Sequence, residues 1–256
     1  MKKKTLLRRI ALAVLGLIGV VVIGFIVWAN WIYQAEPEKL LIASDETKND
    51  FRISEKTDYW EITPTGSDAQ STKYNDTGLI FYPGAKVEPK AYFYKLSDLS
   101  NGQAGKIKVF ITKPTLNLAV FGINQADKVI QDHPEVKKWI IGGHSLGGAM
   151  SCEYARNHAE KVSQLWLFGS YCGSDISNLN INVSLIHGAL DGVLSPQKLA
   201  ENRKNLPPTA SDFQIEGMNH AQVGNYGTQS GDNEPTKNDE DVRNEMIKIF
   251  SQLLSK

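Results

Sequence analysis

The sequence of 256 residues predicts an α/β fold with a mostly parallel, doubly wound sheet. Between residues 78 and 254, short apolar runs typical of buried strands alternate with stretches whose apolar residues recur at helical spacing. Parallel strands need crossover connections, which helices usually supply, so this alternation predicts βαβ units. About 205 residues follow position 50, which is enough for one well-packed domain and too few for two.

The predicted strands and helices follow one another without internal repeats. Residues 51–56 and 59–63 alternate between apolar and polar side chains, which predicts an antiparallel hairpin that begins the sheet. A helix is predicted over 116–131 from four apolar residues on one helical face: Ala119, Ile123, Ala126 and Ile130. The other predicted elements are, along the chain, a strand at 78–82, a helix at 89–99, a strand at 106–112, a strand at 139–142, a helix at 149–158, a strand at 164–168, a strand that ends before Asp191, a helix that begins at Pro196 with Ser195 as its N-cap, a strand that ends before His220, and a helix at 239–254.

The amino terminus predicts a membrane anchor. Residues 10–29 contain no charged side chain, and twenty helical residues are long enough to cross the hydrocarbon core of a bilayer. Five basic residues precede this run, so residues 1–9 should stay in the cytoplasm and everything after residue 30 should be exported. A cleavable signal peptide is the alternative interpretation. The polar residues 30–49 then read as a stalk to a domain that covers residues 50–256.

The charge balance excludes one class of partner. The chain holds 28 basic and 28 acidic residues, and 23 of the basic ones lie outside the amino-terminal segment. The exported domain is therefore mildly acidic, and we expect no nucleic-acid partner.

The most informative motif is Gly143-His144-Ser145-Leu146-Gly147, which joins the predicted strand at 139–142 to a helix. This is the G-x-S-x-G pattern of a nucleophile elbow in the strand–turn–helix context that such an elbow requires. The tight turn crowds the backbone, so glycines are needed at Gly143 and Gly147. The turn also lifts the Ser145 hydroxyl clear of the sheet, which makes Ser145 the candidate nucleophile.

A general base and an acid follow the elbow in the chain. Asp191 comes at the end of one predicted strand and His220 just past the end of the next, which is the order Ser–Asp–His. A serine hydroxyl needs a neutral imidazole to take its proton, and a buried carboxylate must hold that imidazole in the right tautomer. Asp175, in the loop after the preceding strand, is the rival candidate for the acid.

Two backbone N–H groups should stabilise the developing oxyanion. The residue after the nucleophile supplies one, so we assign it to Leu146. The second comes from the loop after the strand at 78–82, where Pro83 and Gly84 lead to Ala85; we assign it to Ala85, with Lys86 as the alternative. By itself, Pro-Gly is more typical of a plain turn, and its position one βαβ unit before the elbow is what favours an oxyanion-hole loop.

Five stretches between residues 79 and 222 resemble those of the α/β-hydrolases. The resemblance is to the compact bacterial hydrolases similar to dienelactone hydrolase in particular. The five stretches are Leu79-Ile-Phe-Tyr-Pro-Gly, Leu116-Asn-Leu-Ala, Gly142-Gly-His-Ser-Leu-Gly-Gly, His187-Gly-Ala-Leu-Asp-Gly-Val-Leu-Ser-Pro and Asn219-His-Ala-Gln. The resemblance implies an α/β-hydrolase fold over about residues 50–256 and a serine hydrolase without a cofactor or metal. Dienelactone hydrolase itself uses a cysteine where this chain has Ser145, so activity on dienelactones is not implied.

The sequence limits the substrate only coarsely. Too few residues separate Cys172 from Asn180 for a cap domain, so we expect an open site suited to accessible esters of small molecules, polysaccharides or lipids. A membrane-anchored extracytoplasmic carboxylesterase is the best interpretation. The alternatives are a lipase or peptidase of the same fold, and a catalytically idle binding module.

The two cysteines and the histidines other than His220 are not assigned a catalytic role. Cys152 falls about 10 Å along its helix from Ser145, whereas Cys172 should lie near the catalytic edge, so we expect two buried cysteines without a disulfide. His144 is predicted to be structural or to line the pocket, and His187 to be a core histidine. The polar loop at 225–238 should form a flexible rim.

Overall fold

The computed structural model of the protein describes residues 2–45, 50–65 and 73–255. Eight strands of this part form a single sheet, in the order β1-β2-β4-β3-β5-β6-β7-β8. The strands are β1 (Phe51–Glu55), β2 (Tyr59–Pro64), β3 (Thr77–Tyr82), β4 (Lys108–Thr112), β5 (Lys138–His144), β6 (Gln164–Phe168), β7 (Asn182–Gly188) and β8 (Ser211–Ile215). The β1–β2 and β2–β4 pairs are antiparallel and all other pairs are parallel. The predicted doubly wound sheet and its opening hairpin are therefore confirmed.

Helices pack on both faces of this sheet, except for the amino-terminal one, which stands outside the domain core. They are α1 (Lys2–Asn30), α2 (Pro37–Ser44), α3 (Phe93–Leu96), α4 (Gln125–Asp132), α5 (Leu146–Asn157), α6 (Pro196–Asn202) and α7 (Asp239–Leu254). The alternation along β6 shows how the faces divide: Leu165 and Leu167 pack with α4 and α5, whereas Trp166 and Phe168 pack with α3 and α7. Ser195 caps α6 by accepting a hydrogen bond from the Lys198 N–H, as its position before Pro196 predicts.

The helix predicted over residues 116–131 is wrong in its first half. Two 3-10 turns, Thr115–Asn117 and Ala119–Phe121, occupy this half, and α4 begins only at Gln125. Leu116 and Asn117 have φ angles of 57° and 53°, in the left-handed region that interrupts an α-helix. The turn lets the Asn117 carbonyl accept a 2.7 Å hydrogen bond from the Lys86 N–H, so a long-range contact overrides the local helical pattern.

The amino-terminal helix has the length and composition to cross a membrane. Its stretch Leu6–Asn30 reaches a mean hydropathy of 3.1 and stands outside the core of the domain. The chain after it, predicted as a stalk over residues 30–49, packs on the domain: the Tyr33 N–H donates to Lys86 O, and the Glu36 N–H to Asn225 O. Helix α2 then lies against α3. Residues 46–49 lie outside the described part of the chain.

The expectation that Cys152 and Cys172 are not bridged is wrong. They form a disulfide, with Cα atoms 5.6 Å apart. The chain after β6 does not stay at the catalytic edge, because residues 170–174 run back along α5. Ser170 Oγ donates to Ser145 O at the start of α5, and Ser174 Oγ donates to Glu153 Oε2 two turns further on. This path carries Cys172 to Cys152.

Removing the disulfide should destabilise the domain. The bridge closes a loop of 20 residues, which corresponds to about 3 kcal/mol of unfolding free energy in the chain-entropy model. We expect the double variant Cys152→Ala/Cys172→Ala to lose about this amount, measured by urea unfolding of the full chain in detergent with tryptophan fluorescence. Reductant should lower the stability of the natural chain to the same level and leave the double variant unchanged. Equal stability of the natural chain with and without reductant would contradict a structural role.

Candidate active site

The candidate nucleophile lies in a strained turn between β5 and α5. Ser145 has φ 53° and ψ −121°, which few non-glycine residues adopt and which costs about 1–3 kcal/mol. The two flanking glycines make the turn possible. A Cβ atom on Gly143 would lie 2.5 Å from the Gly147 carbonyl group, and one on Gly147 would lie 2.1 Å from the Tyr82 carbonyl oxygen. No larger residue fits at either position.

The strained turn is held by hydrogen bonds to the backbone of Ser145. Its N–H donates to the Phe168 carbonyl at the end of β6 over 2.9 Å. Its carbonyl accepts from Ser170 Oγ over 2.8 Å. Both partners belong to the neighbouring strand or to the loop after it, so the sheet holds the serine at its carboxyl edge. The residue is partly exposed there, and a substrate can reach it.

His220 and Asp191 form a buried pair at the same edge. His220 Nδ1 lies 2.8 Å from Asp191 Oδ2, and the two side chains are 1% and 3% exposed. The other carboxylate oxygen, Oδ1, accepts the N–H groups of Val193 and Leu194 over 2.9 and 2.6 Å. An ionised carboxylate can only accept, so His220 donates from Nδ1 and its Nε2 keeps a lone pair. That Nε2 atom is buried and has no partner within the described residues.

Gly169 brings this pair close to the elbow. It directly follows Phe168, whose carbonyl holds Ser145, and a Cβ on Gly169 would lie 3.0 Å from His220 Nδ1 and 3.2 Å from Asp191 Oδ2. Its φ of 49° also favours glycine. Among the described residues no hydrogen bond joins Ser145 Oγ to His220, and in many enzymes this contact tightens only when substrate binds.

The rival acid lies elsewhere. Asp175 is exposed on the loop after β6, and its Oδ1 accepts a local hydrogen bond from the Ser177 N–H at 3.0 Å. That loop follows α5 down toward the disulfide, away from His220. The structure thus pairs His220 with Asp191, the carboxylate that precedes it by one strand.

The loop after β3 supplies one free backbone donor beside the elbow. The Gly84 N–H donates to Tyr92 Oη, and the Lys86 N–H donates to Asn117 O. Within the described part of the chain, the N–H groups of Ala85 and Leu146 have no protein acceptor. The close approach of Gly147 to Tyr82 O and Pro83 O sets this loop against the start of α5. Of the two predicted candidates in the loop, Ala85 therefore keeps its donor available and Lys86 does not.

His144 is linked through Tyr92 to the loop after β3. Its side chain is fully buried, and burial, together with the neighbouring His220, lowers the pKa of His144 well below the ordinary value, so the ring is neutral. Its Nδ1 lies 2.9 Å from Tyr92 Oη, and Tyr92 Oη accepts the Gly84 N–H. The Tyr92 hydroxyl thus donates to His144 and accepts from Gly84. The His144 ring also packs on the His220 ring, with centroids 4.4 Å apart.

Asp232 is a residue of this site that the sequence did not indicate. Its Oδ1 accepts the N–H groups of Gly192 and His220 over 3.0 and 3.2 Å, and its Oδ2 accepts that of Ala221 over 2.8 Å. One carboxylate therefore ties the loop of the candidate acid to the loop of the candidate base. The predicted flexible rim at residues 225–238 contains this anchor. Its only signal in the sequence is an aspartate in a polar Gly-Asp-Asn turn, which is common in ordinary loops.

The described residues contain no group of three histidine, cysteine, aspartate or glutamate side chains that could hold a metal ion.

His187, predicted as a core histidine, is only partly buried and pairs with Asp212 over 2.9 Å. The hydrogen bond to Asp212 raises the pKa of His187.

Comparison with known proteins identifies the kind of scaffold. The model of the alpha/beta hydrolase family matches residues 78–244. No curated protein sequence matches the chain. Among solved structures, an esterase from Pyrobaculum calidifontis is similar with a TM-score of 0.59 and 11% identity over 85% of this chain and 90% of that one.

Two further solved structures are similar at the same level. A predicted CIB-like hydrolase from Thermoplasma acidophilum has a TM-score of 0.55 and 11% identity over 79% of this chain and 99% of that one. An alpha/beta hydrolase enzyme from the metagenome of lagoon sediments at Mar Chica, Morocco, has a TM-score of 0.54 and 15% identity over 79% and 99%. At these identities the likeness concerns the fold.

We expect Asp232→Ala to damage the site without touching the candidate triad. Loss of the carboxylate frees the loops of Asp191 and His220, and a misplacement of about 1 Å can lower a rate by up to ~100-fold. The measurement is kcat on a soluble ester, with Asp175→Ala as the matched control because it also removes a loop carboxylate that accepts a backbone N–H. A similar effect of the two variants would contradict the anchoring role.

Proposed function

The chain belongs to the alpha/beta hydrolase family, and on that premise we propose that it is a serine hydrolase that cleaves carboxylic esters through an acyl-enzyme. Ser145 is the nucleophile, His220 the general base and Asp191 the acid that orients it. The observation that carries the proposal is the buried His220–Asp191 pair, whose Nε2 atom has no partner within the described residues, at the same sheet edge as a serine in a strained turn.

Each group has a defined part in the reaction. His220 Nε2 takes the proton of the Ser145 hydroxyl as Oγ attacks the ester carbonyl, and Asp191 stabilises the imidazolium that forms. The N–H groups of Leu146 and Ala85 donate to the oxyanion of the tetrahedral intermediate. When the intermediate collapses, His220 returns the proton to the departing alcohol. Water, activated by the same imidazole, then attacks the acyl-enzyme. This step releases the carboxylic acid product and restores the Ser145 hydroxyl.

The energetics of the site favour an enzyme over an idle binding module. A buried polar atom without a partner costs about 1–3 kcal/mol, and the Ser145 backbone adds a similar cost. Catalysis explains both, because the base needs a free lone pair and the nucleophile must stand clear of the sheet.

The open edge of the sheet favours accessible esters. Residues 169–181 join β6 to β7, and the part at 170–174 runs along α5, where the Cys152–Cys172 disulfide holds it. A cap domain would need a long insertion here, and this connection is short and tied down. A site without a cap admits an ester group carried on a larger molecule.

Ser145→Ala should abolish ester hydrolysis. Members of a triad act as a unit, so we expect kcat to fall by about 10⁴-fold or more while the fold is retained. The measurement is hydrolysis of p-nitrophenyl esters together with labelling by a fluorophosphonate, and the exposed serine variant Ser251→Ala is the control. Labelling of the natural chain and of Ser251→Ala, but not of Ser145→Ala, is the expected result. Undiminished turnover by a folded Ser145→Ala protein would exclude the proposed nucleophile.

We also propose that the domain of residues 50–256 lies outside the cell, held by a single-pass anchor at residues 10–29, with residues 1–9 in the cytoplasm and residues 30–49 as the connection. Three observations support this topology. The Leu6–Asn30 stretch is long and apolar, basic residues precede its core, and the domain contains a disulfide. Disulfides persist mainly in oxidising compartments.

The topology predicts accessibility from outside. Protease added to intact cells should digest the domain, and amino-terminal sequencing of the mature protein should begin at or near Met1. A cytoplasmic protein expressed in the same cells serves as the control for lysis. A mature terminus near Asn30 would indicate a secreted enzyme instead of an anchored one, and protection from the protease would contradict export.

A further inference from the structure

The end of α1 is attached to the same loop that carries Ala85. The Tyr33 N–H donates to Lys86 O over 2.7 Å, and the Glu88 N–H donates to Tyr33 O over 2.9 Å, so the chain after α1 adds a short parallel bridge to this loop. The Lys86 ammonium also lies 4.4 Å from the centre of the Trp28 ring. These contacts fix the height of the candidate active site relative to the apolar helix.

A second contact reaches further down the helix. The Phe25 ring packs edge-to-face on the Phe121 ring, with centroids 6.5 Å apart. Phe25 precedes the end of α1 at Asn30 by five residues, or about 7.5 Å along the helix axis. Phe121 and its neighbour Val120 are 54% and 42% exposed, so two adjacent apolar side chains face solvent beside α1.

The turn that carries Val120 and Phe121 is part of the rim of the candidate active site. Asn117, just before it, accepts the Lys86 N–H, and the 3-10 turn Ala119–Phe121 packs against α5, which begins at Leu146. Val120 and Phe121 therefore stand between the elbow and the apolar helix.

The side chains are layered as at a bilayer surface. Phe25, Val120 and Phe121 form an apolar level, and Trp28, Trp31 and Lys86 lie nearer the end of α1. Aromatic rings and lysines are favoured at the headgroup level, and purely apolar side chains just below it. A bilayer crossed by α1 would cover Val120 and Phe121, because Phe25 lies within the apolar stretch and contacts Phe121 directly.

We propose that the catalytic edge of the domain faces the bilayer that α1 spans, with Val120 and Phe121 inserted into it, and that the substrates are esters of amphiphilic molecules in the outer surface of that bilayer. The orientation rests on the proposed membrane anchor, and the substrate class rests in addition on the proposed hydrolase activity. An ester held at headgroup level reaches Ser145 by lateral diffusion, without leaving the membrane.

Depth-dependent quenching tests the orientation. The full chain carrying Phe121→Cys, labelled with an environment-sensitive fluorophore, is placed in phosphatidylcholine vesicles with brominated acyl chains; the natural cysteines are bridged and do not take the label. If residue 121 lies about 5–10 Å inside the bilayer boundary, its fluorescence should fall by about two-fold or more. Val120→Cys provides a second position should the first variant fail to fold.

Lys137→Cys is the matched control for quenching. Lys137 is exposed and precedes β5 at the opposite edge of the sheet, about 26 Å from Ser145 at 3.3 Å per strand residue. Its label should not be quenched. Unquenched label at both 120 and 121, or equal quenching at 137, would overturn the proposed orientation.

Hydrolysis tests the substrate class separately. The natural chain in vesicles is given a soluble p-nitrophenyl ester or a long-chain ester embedded in the bilayer, and Phe121→Ser should lower the ratio of embedded to soluble hydrolysis by about ten-fold. An unchanged ratio would overturn the substrate class while leaving the hydrolase proposal intact. Quenching at residue 121 without hydrolysis of either ester would overturn the proposed function and its substrate class, and leave the orientation standing.

Discussion

The close approach between the start of α5 and the loop after β3 is the constraint on which the candidate site depends. Gly147 lies so near the Tyr82 and Pro83 carbonyl oxygens that no side chain fits between them. This contact sets the loop that carries Ala85 against the start of α5, where Leu146 follows the strained Ser145. The Phe168 carbonyl and Ser170 hold the turn from the other side. Any residue larger than glycine at 147 would push the start of α5 away from this loop.

The buried His220–Asp191 pair adds an electrostatic requirement to this geometry. A carboxylate that is 3% exposed needs partners for both oxygens, and here Oδ1 accepts two backbone N–H groups and Oδ2 the imidazole. Asp232 then fixes the backbones that carry both groups. The orientation of the proposed base thus depends on a second carboxylate from a loop more than ten residues further along the chain. The Asp232 hydrogen bonds hold the backbone that carries the His220 ring. If that ring rotated away, Asp191 Oδ2 would lose its hydrogen-bond donor.

The attachment of α1 connects the site to its surroundings. Lys86, next to Ala85, is hydrogen-bonded on both sides of its backbone. Its carbonyl accepts the Tyr33 N–H, and its N–H donates to the Asn117 carbonyl. Backbone hydrogen bonds therefore join α1 to the site, and the surface near Phe121 lies beside α1. The disulfide keeps the connection between β6 and β7 away from this edge, which leaves the approach to Ser145 open.

The sequence by itself determined most of the sheet and the identity of the candidate triad. Strands such as β6 and the elbow strand β5 are recognisable because burial on both faces produces short, continuous apolar runs, and the elbow because a sharp turn demands glycine at fixed positions. The chain order also favoured Asp191 over Asp175, and the structure pairs Asp191 with His220. These features depend on residues close together in the chain, where backbone geometry restricts the choice of side chain.

Only the tertiary structure decided the features that depend on distant partners. The helical pattern at residues 116–124 gave way because Asn117 pairs with Lys86, 31 residues earlier, and such a contact leaves no periodicity in the sequence. The disulfide depends on the path of residues 170–174 along α5, and the role of Asp232 on three N–H groups that belong to two other loops. In each case the deciding hydrogen bond or covalent bond joins residues that are far apart in the chain, so no local pattern of residues predicts it.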